Sequence, residues 1–374
     1  AIKVGQFSMR ARDGTTGNVT LTNSGNEFRQ IDRALRYGSF SLFDADTEGN
    51  NLNKAGRLDE GTTSNVVRIA TQGTLNVASN TNGNTVVLEG SSITSDGNIN
   101  SLAGNLILRP RGGNITFSGG TQQSSSNSNT YIIQNSNNVQ LGYSVTFGSL
   151  QFGSDAVTAA VSASQGIAVE GGSFAINGSA ASSSVATSST GNRIVITSAA
   201  DDSARTFTVT GTDMFGRALT ETITGANAAA ASGSKYFATV TAVSAGAGAA
   251  STAAVGWATE NVAGNVTQQN DLDLVALTGK VGGSITLERS ASSFTSVTNL
   301  TAVGAISLRT DSSLTVSGAL ASTTGALTLM SNNTQTVSST GSVTAAGNVT
   351  MTTTAQNISI AGAVTSTAGT VFVK

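Results

Sequence analysis

Along much of this chain, apolar residues stand at every second position in short runs, and Ser, Thr, Asn and Gly fill the gaps. The runs "GSITLER", "GAISLRT", "GALTLMS", "GNVTMTT" and "GTVFVK" begin at Gly283, Gly304, Gly325, Gly347 and Gly369, so they return every 21 or 22 residues. Each has the form Gly-x-φ-x-φ, with φ apolar: Ile285/Leu287, Ile306/Leu308, Leu327/Leu329, Val349/Met351 and Val371/Val373. Strict alternation predicts a strand with one buried face. Between the runs lie Leu314/Val316, Ile358/Ile360 and the single apolar residues Leu320, Val343 and Val364. A period of about 20–25 residues with two or three short strands is the length of one β-solenoid coil. Stacked coils would place like residues over like, and the glycine would supply a positive φ or a tight corner. An antiparallel sandwich with hairpins of equal length is the weaker reading for five such runs.

The stretch from Gly17, "GNVTLTNSGNEFRQIDRALRYGSFSL", lies without a gap over that from Gly283, "GSITLERSASSFTSVTNLTAVGAISL". Val19 matches Ile285, Leu21 Leu287, Phe28 Phe294, Ile31 Val297, Gly38 Gly304 and Leu42 Leu308. The same module is therefore expected at both ends. Alone, "NEFRQIDRALRY" has helical periodicity, with Phe28, Ile31 and Leu35 on one side and Arg29, Arg33 and Arg36 on another. Its counterpart "SSFTSVTNLTAV" is poor helix material, which predicts an extended segment at both places. The arginines then form a solvated face, with a site for an acidic partner as the alternative.

From 73 to 117 strands persist, but glycines 73, 83, 104 and 113 are unevenly spaced, which predicts irregular coils or a hairpin-rich segment; 118–130 reads as a loop or linker. Between about 131 and 262 the cassette is missing. Strands are expected at 145–152, 166–176, 193–198, 205–212, 218–225, 235–244 and 252–259, with a hairpin turning at Asp213–Arg217. Such spacing suggests a small β-sandwich. The alanine-rich 225–234 and 244–252 read as connections, and Trp257 as a core residue rather than a carbohydrate-stacking one. The expected fold class is all-β: parallel β-solenoid segments at both ends with an inserted β-sandwich-like domain. The expected divisions are a solenoid-like module at 1–60, irregular coils and linker at 61–130, the inserted domain at 131–262 and solenoid repeats at 263–374. The chain stops inside a cassette, so a partner or a continuation past Lys374 is expected to cover the last coil.

Composition narrows the chemistry. The 374 residues include one proline, no cysteine and no histidine, with 11% charged and a net charge of −2. There is no thiolate metal site and no imidazole for proton transfer. Nothing in the charge attracts nucleic acid or anionic lipid, and no apolar run approaches the about 20 residues of a membrane span. Glycan cleavage would need two carboxylates a few ångströms apart; from 264 onward the acids are Asp271, Asp273, Glu288 and Asp311, with no pair at one coil position. "DADTEGNN" (44–51) faintly follows a calcium loop, but the last ligand would fall at Ala55, so a turn is the better reading. Asp201–Asp202 before Arg205 reads as a polar turn. No catalytic, cofactor-binding or metal residue is assigned, no cofactor is expected, and the chain is read as not an enzyme.

The cassettes, with "LTNSGNEF" and "NLTAVGAISLRTDSSLTVSGAL", resemble the β-helical shafts of filamentous haemagglutinin-type and autotransporter adhesins. The stretch "NRIVITSAADDSARTFTVTGTDMFGRALTETITGANAAAASGSKYFATVTAV" (192–243) resembles a β-domain of tailed-phage structural proteins, and "GNLILRPRGGNITFSGG" is similar to phrases of phage fibres. These resemblances imply a virion or extracellular, cell-surface fibre. Its partners would be other copies of itself, other virion or surface-structure proteins and a host surface glycan, without nucleic acid or membrane insertion. The expected role is a structural phage protein (fibre, spike or capsid decoration). A bacterial adhesin or surface-layer protein is the alternative, and a glycan depolymerase the minor one.

Overall fold

In a computed structural model, the chain divides into two compact units, residues 1–153 with 261–374, and residues 154–260. The structure describes residues 1–10, 18–36, 39–45, 52–54, 58–60, 66–119, 122–124, 130–133, 136–141, 145–152, 160–166, 172–246, 252–258 and 261–374. All regular structure among them is strand.

The first unit is one parallel β-solenoid of about 14 turns, with 32 strands among the described residues joined in a single sheet system. One column of in-register residues defines it. Leu52 pairs with Leu75, then Ile93, Ile115, Val139, Val266, Ile285, Ile306, Leu327, Val349 and Val371 follow, each the Cα partner of the one before. Successive coils stack at about 4.8 Å, so each aliphatic side chain is covered by its neighbours above and below. From Leu52 to Val349 the column is buried. The step from Val139 to Val266 spans the second unit in sequence without a break in register.

Long strands turn corners in this scaffold. Ser293–Ala302 stacks under Leu314–Val316 with its first part and under Ala319–Ser322 with its second. Asn299, at φ 52°, makes the corner between them, and its Oδ1 accepts from Ala319 N at 3.2 Å. Asparagine tolerates this left-handed conformation better than most residues. Glu27–Arg36 does the same under Leu52–Lys54 and Leu58–Glu60, so the extended reading holds at both places. The matched modules share local geometry: Val19 pairs with Phe40 as Ile285 does with Ile306. Yet they lie in different columns. Phe40 leads on to Val67, Val86 and Leu106, whereas Ile306 descends to Leu52. Gly17 and Gly38 lie outside the described residues.

Of the two roles expected of the cassette glycines, the tight corner is present, since each stands at a bend before its strand, and the positive φ is not. None of Gly283, Gly304, Gly325, Gly347 or Gly369 has a positive φ. A Cβ at Gly325 would stand 2.5 Å from Ala305 N and 2.9 Å from Gly304 C, so glycine is there for the close approach of the coil beneath. The next position is a polar stitch. Asn138 N donates to Asn114 Oδ1 (3.0 Å), Asn265 N to Asn138 Oδ1 (2.9 Å), Ser284 N to Asn265 Oδ1 (2.8 Å) and Ala305 N to Ser284 Oγ (3.1 Å). In these four turns the N–H after the glycine position is thus satisfied by a side chain of the preceding coil.

The coils at 66–119 are in register with the rest, and the uneven glycines mark turns of different length. Gln122–Ser124 continues a ladder where a loop or linker is expected, and Thr130–Ile133 does so where the inserted domain is expected to begin. Val139–Leu141 and Val145–Phe152 are also coil strands, so the second compact unit starts later than its sequence reading, at residue 154.

The second unit has a four-stranded and a five-stranded sheet, all pairs antiparallel, around a core that includes Phe174, Ile194, Ile196, Phe207, Val209, Phe237, Val240, Val243 and Val255. Strands Ile194–Ser198, Thr206–Thr212, Ala218–Thr224, Phe237–Ala245 and Thr252–Trp257 fall where expected. The hairpin turns at Asp213, whose Oδ1 accepts from Phe215 N (2.8 Å) and Arg217 N (3.0 Å). Gly216 there has φ 74°. Ala230–Ser232, read as a connection, is instead a strand against Ile194–Ser198. Residues 247–251 lie outside the described residues.

Candidate functional site

The solenoid's N-terminal coils hold a buried polar chain. In Leu106–Pro110 all five positions are buried, as they are in Phe40–Asp44. On the outward parity Phe43, Ala70, Val87 and Ile107 are buried as well, while Arg68 and Glu89 are partly exposed. Within this doubly covered sheet, Arg109 is 1% exposed and donates from Nη1 to Glu89 Oε2 at 3.0 Å. Arg111 Nη1 holds the other oxygen of Glu89 at 2.8 Å, and its Nη2 donates to Thr71 O at 2.5 Å. Thr71 Oγ1 donates to Asp44 Oδ2 at 2.6 Å, and Asp44 Oδ1 accepts from Phe28 N at 2.8 Å. Burial pushes the Glu89 carboxyl up, but the Arg109 and Arg111 guanidiniums outweigh it and hold it below the ordinary carboxylate range. The Asp44 position has a neutral counterpart near the other end: Phe294 N donates to Thr310 Oγ1 at 3.0 Å, as Phe28 N does to Asp44.

Asp44 therefore has a structural role, engaged by a backbone N–H and a threonine; residues 46–51 of the calcium-like stretch lie outside the described residues. Asp201 Oδ1 accepts from Ser203 N (3.0 Å) and Ser203 Oγ (2.6 Å), which lower its pKa. Buried Asp202 faces Arg205 Nε at 3.4 Å. Both belong to a turn, as expected. Asp271, Asp273, Glu288 and Asp311 are all exposed. Glu288 accepts from Ser307 Oγ and Asp311 from Asn332 Nδ2, each one coil on, and none of the four is hydrogen-bonded to another. Arg29 is exposed; the side chains of Arg33 and Arg36 lie outside the described residues. Trp257 is buried in the core of the second unit. Among the described residues no three of His, Cys, Asp and Glu gather as metal ligands, and no helix is long and apolar enough to cross a membrane.

The reading from sequence alone missed two clusters. Glu89 and Arg109 are 20 residues apart, one coil length, and opposite charges at that spacing were the available signal. Glu221 is the other: its Oε1 accepts from Ser234 N (2.5 Å), Ser234 Oγ (2.8 Å) and Lys235 N (3.2 Å), tying edge strand Ala218–Thr224 to the turn after Ala230–Ser232.

These features define the class: a parallel β-solenoid whose chain is interrupted by an antiparallel two-sheet unit. No family model, curated protein or solved structure matches the chain.

Proposed function

We propose that this chain is a non-enzymatic structural component of a phage particle, as a fibre, spike or capsid decoration, with the solenoid as a rigid scaffold for assembly or host attachment. The observation that carries the reading is the column from Leu52 to Val371, which keeps its register across the second unit. A scaffold whose stacking is continuous on both sides of an insert can carry the insert without being altered by it. The likeness of 192–243 to a phage structural β-domain supports the virion setting. In this reading its partners are other copies of itself and other virion proteins. The glycine cassettes and their asparagine stitches favour a second reading, a bacterial cell-surface adhesin or surface-layer protein.

Gold-labelled antibody against the chain, applied both to purified particles and to intact producing cells, tests the two. Labelling at a fixed place on particles supports the first reading. Labelling confined to cell envelopes overturns it in favour of the second.

A further inference from the structure

Proteins keep sheet edges from pairing with other chains by making them short, bulged or charged. In the second unit, three of the four sheet edges among the described residues follow that rule. Ala181–Ser182 and Ala230–Ser232 are two and three residues long, and Ala160–Gly166 shifts register twice against Thr252–Trp257. The fourth edge, Ala218–Thr224, is seven residues long and pairs with Thr206–Thr212 without a bulge. Asp213 N donates to Arg217 O and Gly225 N to Arg205 O, which fixes the alternation of this antiparallel pair. Leu219, Glu221 and Ile223 therefore turn their N–H and C=O groups towards Thr206–Thr212. Ala218, Thr220, Thr222 and Thr224 turn theirs to the open side, and all four are exposed and uncharged. Lys235 Nζ, on an exposed residue, donates to Thr220 O at 2.8 Å and covers that carbonyl.

We propose that Ala218–Thr224 is a self-association site, pairing antiparallel with the same strand of a second copy about a two-fold axis at Thr222. In that register Thr222 lies opposite Thr222 and Thr220 opposite Thr224. Each such pair exchanges two backbone hydrogen bonds between groups that already face outward. A second copy is the occupant this edge fits, because the register is self-complementary, as an isologous interface must be. No charged side chain meets its like, since the residues on the outer face are alanine and threonine. On the inner face Glu221 lies opposite Ile223, its carboxylate already held by Ser234 and Lys235 N–H groups. The incoming Thr224 N–H takes the place of Lys235 at Thr220 O, and the two five-stranded sheets become one. The inference concerns the second unit alone and holds whether or not the chain belongs to a particle.

Sedimentation velocity of the full chain between about 1 µM and about 1 mM gives its mass. Hydrogen exchange, read by mass spectrometry with fragmentation to single residues, locates the contact. The mass is expected to double across that range, with the amides of Thr220, Thr222 and Thr224 exchanging at least about tenfold more slowly in the dimer. Thr222→Pro removes an N–H that faces the open side, where an edge strand tolerates proline, and should leave a folded monomer. Thr222→Lys, which sets two ammonium groups against each other across the axis, decides the matter if the proline variant fails to fold. A monomer at every concentration overturns the proposal. So does a dimer protected elsewhere than at Thr220–Thr224, or one that persists in the folded variants.

Discussion

At the residue scale, the fold rests on how closely one turn can lie on the next. Gly325 would place a Cβ against backbone atoms of Gly304 and Ala305, whereas at Gly347 the nearest atoms are 3.2 Å away. Gly325→Ala is therefore expected to destabilise the solenoid by about 1–3 kcal/mol, and Gly347→Ala by clearly less, read as the shift in urea midpoint. Equal effects would show that close approach is not what the position demands. Leu329 is fully buried, and Leu329→Ala should cost about 2–5 kcal/mol by the same measurement. The glycine period itself was plain in the sequence. Its cause was not, because a positive φ and a steric contact with the next coil leave the same mark on one strand of text. The asparagine stitch was equally hidden: its acceptor role exists only between residues about one coil apart.

At the element scale, alternation was a reliable guide wherever one face meets solvent. It predicted the cassette strands and the hairpin around Asp213, and the match of 27–36 to 293–302 corrected a helical periodicity. It was least informative where both faces are covered, as in "LILRP", since a doubly buried parallel strand shows an unbroken apolar run. Arg109 within that run carried the one legible sign of the polar chain, and only its register with Glu89 gives the sign meaning. The strand Ala230–Ser232 escaped because alanine has little intrinsic β preference; pairing with Ile194–Ser198 decides its conformation. Glu221 fixes the turn beyond that strand. Glu221→Ala leaves the N–H groups of Ser234 and Lys235 without their acceptor and should cost the second unit about 1–3 kcal/mol. A two-step thermal melt should show the change in the second unit's transition alone; a shift of the solenoid's transition instead would contradict this assignment.

At the scale of the whole molecule, the repeats read at the two ends belong to one solenoid, and 66–152 supplies the coils between. The resemblance of 17–42 to 283–308 reflects a shared local rule, since the two modules begin in different columns. This was illegible beforehand, because the column assignment depends on each intervening coil, and those vary in length. If stacking alone holds the solenoid, replacing 154–260 with a short Gly/Ser linker should leave its circular dichroism and melting transition intact. The most direct test of the central claim is a cross-link spanning the insert. The chain has no cysteine of its own, and Gln140 and Thr267 are Cα partners 127 positions apart on neighbouring strands. Gln140→Cys with Thr267→Cys should close an intramolecular disulfide almost completely under mild oxidation. Free thiols, or links only between separate chains, would contradict the stacked register.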